Sequence, residues 1–160
     1  MKSVKQIAFA ALLTIGAFGA VTMVSCNKDD DETCPVGYEG SDCKTEVRTK
    51  YIGAYVGNGS DNDGQTYTGW RLVFAPTNTT DATKMSMILQ NQNTAPVVAL
   101  TVTLKSNTTF DVDNFTTTDN YTYSGTGTIN ATSASLTLNQ KDNEDTPPST
   151  IIFTFNNMIK

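Results

Sequence analysis

Three cysteines, 16 acidic side chains and no histidine bound the chemistry open to this 160-residue chain. Without histidine it lacks the commonest general base near neutrality and the commonest metal ligand. Ser-His-Asp and Cys-His nucleophile arrangements are therefore excluded. Neither a Walker-type phosphate loop nor a dinucleotide turn leading into a helix is present. Carboxylates remain, but Asp111 and Asp113 fall on the outward parity of a strand, and Asp142, Glu144 and Asp145 fall in a loop. Asp61-Asn62-Asp63-Gly64 has the composition of half a calcium loop. An EF-hand built on Gly64 needs an oxygen ligand at position 59 and a glutamate at position 70, where this chain has Gly59 and Trp70. A solvated turn fits those residues better. Two cysteines without histidine make a poor metal site. No catalytic group, metal or cofactor is expected.

The remaining chemistry belongs to thiols. Lys2 and Lys5 precede an apolar run from Ile7 to Val24, which ends on small Ser25 followed by Cys26. That run is long enough to be a marginal membrane span, but its Ala and Gly content and its end at Ser25-Cys26 favour a removed signal. The box Met23-Val24-Ser25-Cys26 resembles a bacterial lipoprotein signal, with Met23 where Leu is usual. It implies cleavage between Ser25 and Cys26 and lipid on the Cys26 sulfur. One acyl chain would hold only marginally, at about 0.8 kcal/mol per buried CH₂, whereas two or more hold durably. Lys28-Asp29-Asp30-Asp31-Glu32 follows at once. Its like charges make an extended, solvated tether. It also resembles the acidic export address of Bacteroidetes-type surface lipoproteins, which implies an outer-membrane, cell-surface location.

Losing residues 1–25 removes two lysines and makes the formal charge of −5 more negative still. An acidic body without a basic stripe argues against nucleic acid as a partner. With Cys26 lipidated, Cys34 and Cys43 are left to pair with each other. The segment from Cys34 to Cys43 resembles the last hairpin of an EGF-like module, C-x-x-G-[YF]-x-G-x-x-C, over ten residues. Closing so short a loop removes about 2.7 kcal/mol of unfolded-chain entropy. The expected organisation is a leader (1–25), an acidic tether (26–33), a disulfide stalk (34–49) and one domain (50–160).

From Lys50 onward the chain reads as short alternating strands separated by turn residues. The expected strands are Tyr51 to Val56, Tyr67 to Phe74, Lys84 to Gln90, Val97 to Lys105, one around Phe110 and Val112, Tyr121 to Ile129, one around Leu136 and Leu138, and Ile151 to Phe155. Val98, Leu100, Val102 and Leu104 give the clearest period of two. A long acidic loop, Lys141 to Pro148, is expected before the last strand. Eight strands with short connections and no crossover helix predict an all-β, antiparallel up-and-down barrel, with a β-sandwich as the alternative. Gly125 and Gly127, on an otherwise inward parity, suit sharp coiling at a barrel corner.

Lys50-Tyr51-Ile52-Gly53-Ala54-Tyr55 and Gly125-Thr126-Gly127-Thr128-Ile129 resemble segments of the lipocalin-like domains of Bacteroidetes lipoproteins, which implies that barrel. A barrel of eight strands is either filled by its own side chains or holds one small ligand. The inward parity collects Trp70, Phe74, Met85, Met87, Leu100, Phe110, Tyr123, Leu138 and Phe153, none of them charged. The ligand expected there is small and apolar. Tyr51, Tyr55, Tyr67 and Tyr121 could instead stack on sugar faces, as in a glycan-binding or adhesion module. A purely structural envelope protein is the third reading. The residue pattern does not set an oligomeric state.

Overall fold

A computed structural model describes residues 34–91 and 96–160. Cys26, Ser25, and Lys28-Asp29-Asp30-Asp31 lie outside the described residues, so the leader and tether have no structural account.

Two short strands, β1 (Tyr38–Glu39) and β2 (Thr45–Glu46), form a hairpin closed by the Cys34–Cys43 disulfide. One helical turn follows, α1 (Arg48–Tyr51). The barrel strands are β3 (Gly53–Asp61), β4 (Thr66–Pro76), β5 (Lys84–Asn91), β6 (Pro96–Leu104), β7 (Thr109–Thr116), β8 (Tyr121–Ile129), β9 (Ser133–Asp142) and β10 (Ser149–Ile159). All neighbours are antiparallel, and β10 pairs with β3, so the barrel is closed and has no free edge. The sandwich alternative is thereby set aside.

Burial explains the closure. Leu72 and Phe74 on β4, Met85 and Met87 on β5, Val102 on β6, Phe110 on β7, Ile129 on β8 and Leu138 on β9 are all at most 1% exposed. Alternation puts them on one face, and only a curled sheet buries such a face against itself. Each large apolar side chain removed from water contributes roughly 1.5–3 kcal/mol. Curling needs close approach at one wall. On β8, a Cβ at Gly127 would overlap the Phe110 ring and come within 2.5 Å of the Ser135 carbonyl oxygen. Phe110 pairs with Gly127 across the ladder, so the ring occupies the space that glycine leaves.

Three sequence-based boundaries shift. Tyr51 belongs to the helical turn, not to the first barrel strand, which begins at Gly53 and continues through Gly57-Asn58-Gly59 to Asp61. The expected loop from Lys141 is shorter, because β9 runs on to Asp142. Beyond Phe155, β10 extends to Ile159 by way of a bulge in which Asn157 takes a φ of 50°, turning Met158 into the core.

The hairpin packs on the barrel and does not stand off from it. Gly37 N–H donates to Asn107 Oδ1 at 3.1 Å, and Asn107 Nδ2 donates to the Tyr38 carbonyl at 3.0 Å. Val47 is fully buried, and the guanidinium of buried Arg48 reaches the carbonyls of Asp81 (2.9 Å) and Lys84 (3.1 Å). Residues 34–51 are thus a clasp across one end of the barrel. The boundary expected at residue 50 falls inside α1.

Candidate functional site

The two ends of the barrel differ. At the clasp end, the Tyr51 hydroxyl donates to the Asn107 carbonyl, and the Tyr55 hydroxyl donates to the carbonyls of Asn130 (2.9 Å) and Tyr51 (3.1 Å). Both rings are at most 1% exposed. Burial pushes the Tyr55 hydroxyl up to about 12. Tyr51 and Tyr55 therefore belong to the closed floor, and the reading that made them sugar-stacking surface rings is corrected. A buried Tyr needs a partner for its hydroxyl, and the turn carbonyls at this end supply one.

Above the floor, rings pack on rings. Tyr55 meets Phe74 edge to face with centroids 5.6 Å apart, and Phe74 meets Phe110 at the same separation. Of the residues expected to line a ligand cavity, Phe74, Met85, Met87, Leu100, Phe110, Tyr123 and Leu138 are between 0% and 7% exposed. Nearly all of their surface is taken up by protein neighbours. Trp70 and Phe153 differ: they are only partly buried and lie toward the end away from the clasp, along with Tyr67 and Tyr121. There Tyr67 meets Trp70 edge to face (5.5 Å) and lies tilted against Phe153 (5.7 Å), and Trp70 leans on Phe155 (5.7 Å). Phe115 is the fifth ring of this mouth. It pairs with Tyr123 on the same face and is 44% exposed.

Two bulges build the mouth. Between Gly57↔Trp70 and Gly59↔Tyr67, β4 carries one residue more than β3. Gly69 absorbs it with a φ of 66°, and its N–H donates to Asn58 Oδ1 at 3.1 Å. Only glycine takes that backbone conformation without strain. The consequence is that Tyr67, not Thr68, shares the inward face with Trp70. Between Val112↔Gly125 and Phe115↔Tyr123, β7 likewise carries one extra residue, which turns Phe115 inward. Strict alternation from Phe110 and Val112 assigns Phe115 to the outside, so it was missed. The polar Asp113-Asn114 step before it was the available signal.

The mouth is electronegative. The Tyr67 hydroxyl donates to Asp61 Oδ2 at 2.6 Å, while Asp61 Oδ1 accepts the N–H groups of Asp63 (3.0 Å) and Gln65 (2.9 Å). Chiefly through the Tyr67 hydrogen bond, the Asp61 carboxyl is held below its usual range, and the same bond pushes Tyr67 up to about 12. Asp61 is therefore ionised throughout the neutral range. Across the opening, the Asp142 charge is the first cause of a raised Tyr121, with Glu144 and Asp145 adding to it. Asp142 pairs directly with Tyr121, so the two share a face.

Other polar groupings serve the walls. Thr103 Oγ1 donates to Asp113 Oδ1 at 2.5 Å and accepts from Lys84 Nζ at 2.5 Å, and Lys84 also contacts Asp113 Oδ2 at 2.6 Å. This outer-face cluster bridges β6 and β7, whose ladder has three registered pairs, Val102↔Val112, Thr103↔Asp111 and Leu104↔Phe110. Among the described residues, no group of three histidine, cysteine or acidic side chains could hold a metal ion. The Asp61 carboxylate is engaged in its own turn instead.

The arrangement is a collar of rings over a packed floor. It is a β-barrel compatible with a binding domain. Compared with family models, with curated proteins and with solved structures, the chain matched none.

Proposed function

We propose that this chain is a lipid-anchored outer-membrane lipoprotein, exposed at the cell surface, whose non-catalytic lipocalin-like barrel binds one small apolar ligand at its mouth. The observation that carries the reading is the placement of five half-buried or exposed rings, Tyr67, Trp70, Phe115, Tyr121 and Phe153, at the end opposite the clasp. The chain enters the barrel through the clasp at Cys34.

Two experiments test this. Cys26→Ala should release the protein from the membrane fraction and abolish incorporation of labelled palmitate. Retention in the membrane would sink the anchoring. Native mass spectrometry of the purified protein should show a small molecule retained by the wild type and lost in a Trp70→Ala, Phe115→Ala double variant. The second reading is a glycan-binding module, favoured by the half-exposed rings of Tyr67 and Tyr121. Glycan-array binding that disappears on Tyr67→Ala would support it over the apolar ligand.

A further inference from the structure

Apart from Arg71 on the outward parity of β4 and Lys141 on that of β9, the cations of the described residues lie toward the clasp end of the barrel. Lys44, Arg48, Lys50, Lys84, Lys105 and Lys160 belong to the clasp end or to strand ends adjoining it, and five of them pair with Asp42, Glu46, Glu39, Asp113 and Asp111. The mouth-end turns and the strand ends leading into them carry Asp61, Asp63, Asp119, Asp142, Glu144 and Asp145. Among the described residues, no lysine or arginine forms an ion pair with any of these six within 4.0 Å. The cation closest in the ladder is Lys141, which is exposed and pairs with Thr122 and Thr150 on the outward parity.

From this we infer that the mouth selects an apolar cation: a small organic ammonium ion whose hydrocarbon body sits among Trp70, Phe115 and Phe153 and whose charge lies between Tyr67–Asp61 and Tyr121–Asp142. This deepens the reading above and rests on it. Two independent features favour the same sign. The ring faces are negative by their quadrupole and attract an ammonium group, most strongly where water is excluded. Asp61, fixed by three hydrogen bonds, supplies a full negative charge beside the Tyr67 ring. Tyr67 cannot turn its proton toward an anion without giving up the 2.6 Å bond to Asp61. An apolar anion such as a fatty carboxylate would meet carboxylates with no cation beside them on the inward parity among the described residues, and like-charge placement is how a site rejects a wrong partner.

Trp70 is the only tryptophan and lies in the mouth, so its emission reports on occupancy. Full-length protein in an uncharged detergent, against a protein-free blank, would be titrated with three probes of one length: hexyltrimethylammonium, hexanol and hexanoate. The expected order is hexyltrimethylammonium tightest, by roughly tenfold over hexanol, and hexanoate weakest. Asp61→Asn and Asp142→Asn should each cut the preference for the cation over hexanol by roughly fivefold. Equal affinities for hexanol and the ammonium probe, tighter hexanoate, or a cation preference indifferent to both substitutions would overturn the charge selection while leaving the apolar mouth standing. Absence of any emission change with all three probes would overturn both.

Discussion

Replacing Arg48 by Met tests whether the clasp is part of the barrel's cooperative unit. Met keeps much of the apolar stem volume and removes the guanidinium. Arg48 Nη1 donates to the carbonyls of Asp81 at 2.9 Å and Lys84 at 3.1 Å, Nη2 reaches Thr79 at 3.4 Å, and Nε holds Glu46 Oε2 at 2.7 Å. Stranding the partners of a buried charge costs about 3–5 kcal/mol, but these partners are not stranded. The Lys84 carbonyl keeps the Thr77 hydroxyl at 3.3 Å, Asp81 is exposed, and the Glu46 side chain is 33% exposed. What is lost is the net worth of two or three charge-assisted bonds, less the relief of a desolvated cation, or about 2 kcal/mol. For a body of this size that lowers the melting temperature by about 8 °C. The assay is thermal unfolding followed by Trp70 emission, because Trp70 sits at the far end of the barrel from Arg48. Arg48→Lys, which keeps charge but not the planar fork, should fall between the two. A Trp70 midpoint within about 2 °C of wild type in Arg48→Met, with the protein folded, would refute the reasoning and make residues 34–51 an independent appendage.

Two further predictions follow from the walls and the mouth. Gly127→Ala should destabilise by about 2–3 kcal/mol in urea unfolding, because its Cβ meets the Phe110 ring and a backbone carbonyl, neither of which can swing aside; Gly64→Ala, with nothing within 4 Å and only a φ of 85° to strain it, should cost nearer 1 kcal/mol. The hydroxyls of Tyr55 and Tyr67 sit at about 12 in the folded chain against about 10 when unfolded. Their contribution to stability is then complete below pH 10 and lost as pH rises to 12. Absorbance at 295 nm should show a late ionising fraction, and Asp61→Asn should move Tyr67 out of it; an unchanged titration in that variant would contradict the hydrogen bond.

Much of the barrel was legible because its core keeps strict alternation. Val98, Leu100, Val102 and Leu104 are all buried, as their spacing demands, and the expected strand from Tyr121 to Ile129 matches β8 residue for residue. Gly125 and Gly127 were placed at a coiled wall, where backbone and ring approach too closely for any Cβ. The clasp was not legible. Lys44 to Lys50 reads as a polar link after a disulfide loop with Val47 as its one apolar residue, and nothing local reveals that loop carbonyls from Thr79 to Lys84 will surround the Arg48 guanidinium. Nor did Gly57-Asn58-Gly59 reveal that β3 continues. Turn-forming residues there are held extended by β4 and β10, with Phe155 lying over Gly59.

The candidate site is where alternation breaks on β4 and β7, and that has a physical reason. A barrel closed by a perfect period of two would send the same alternate residues inward along its whole length and fill both ends alike. At Gly69 an inserted residue hands the inward face from Thr68 to Tyr67, and at Asp113-Asn114 another hands it to Phe115. Both insertions lie on the mouth side of the buried belt formed by Leu72, Phe74, Phe110 and Val112. The belt supplies the burial that closes the barrel, so the rings above it are released from packing to full density. Gly69→Val, which disfavours the φ of 66° that the bulge needs, would restore regular pairing on β4 and turn Tyr67 outward. Its hydroxyl would then leave Asp61, and the rim would lose one ring and the bond that fixes its charge. A Gly69→Val variant that stays folded should therefore keep the core's stability to within the loss of the Tyr67 contacts, yet lose the ligand response of Trp70; retention of that response would show that the bulge is not what builds the mouth.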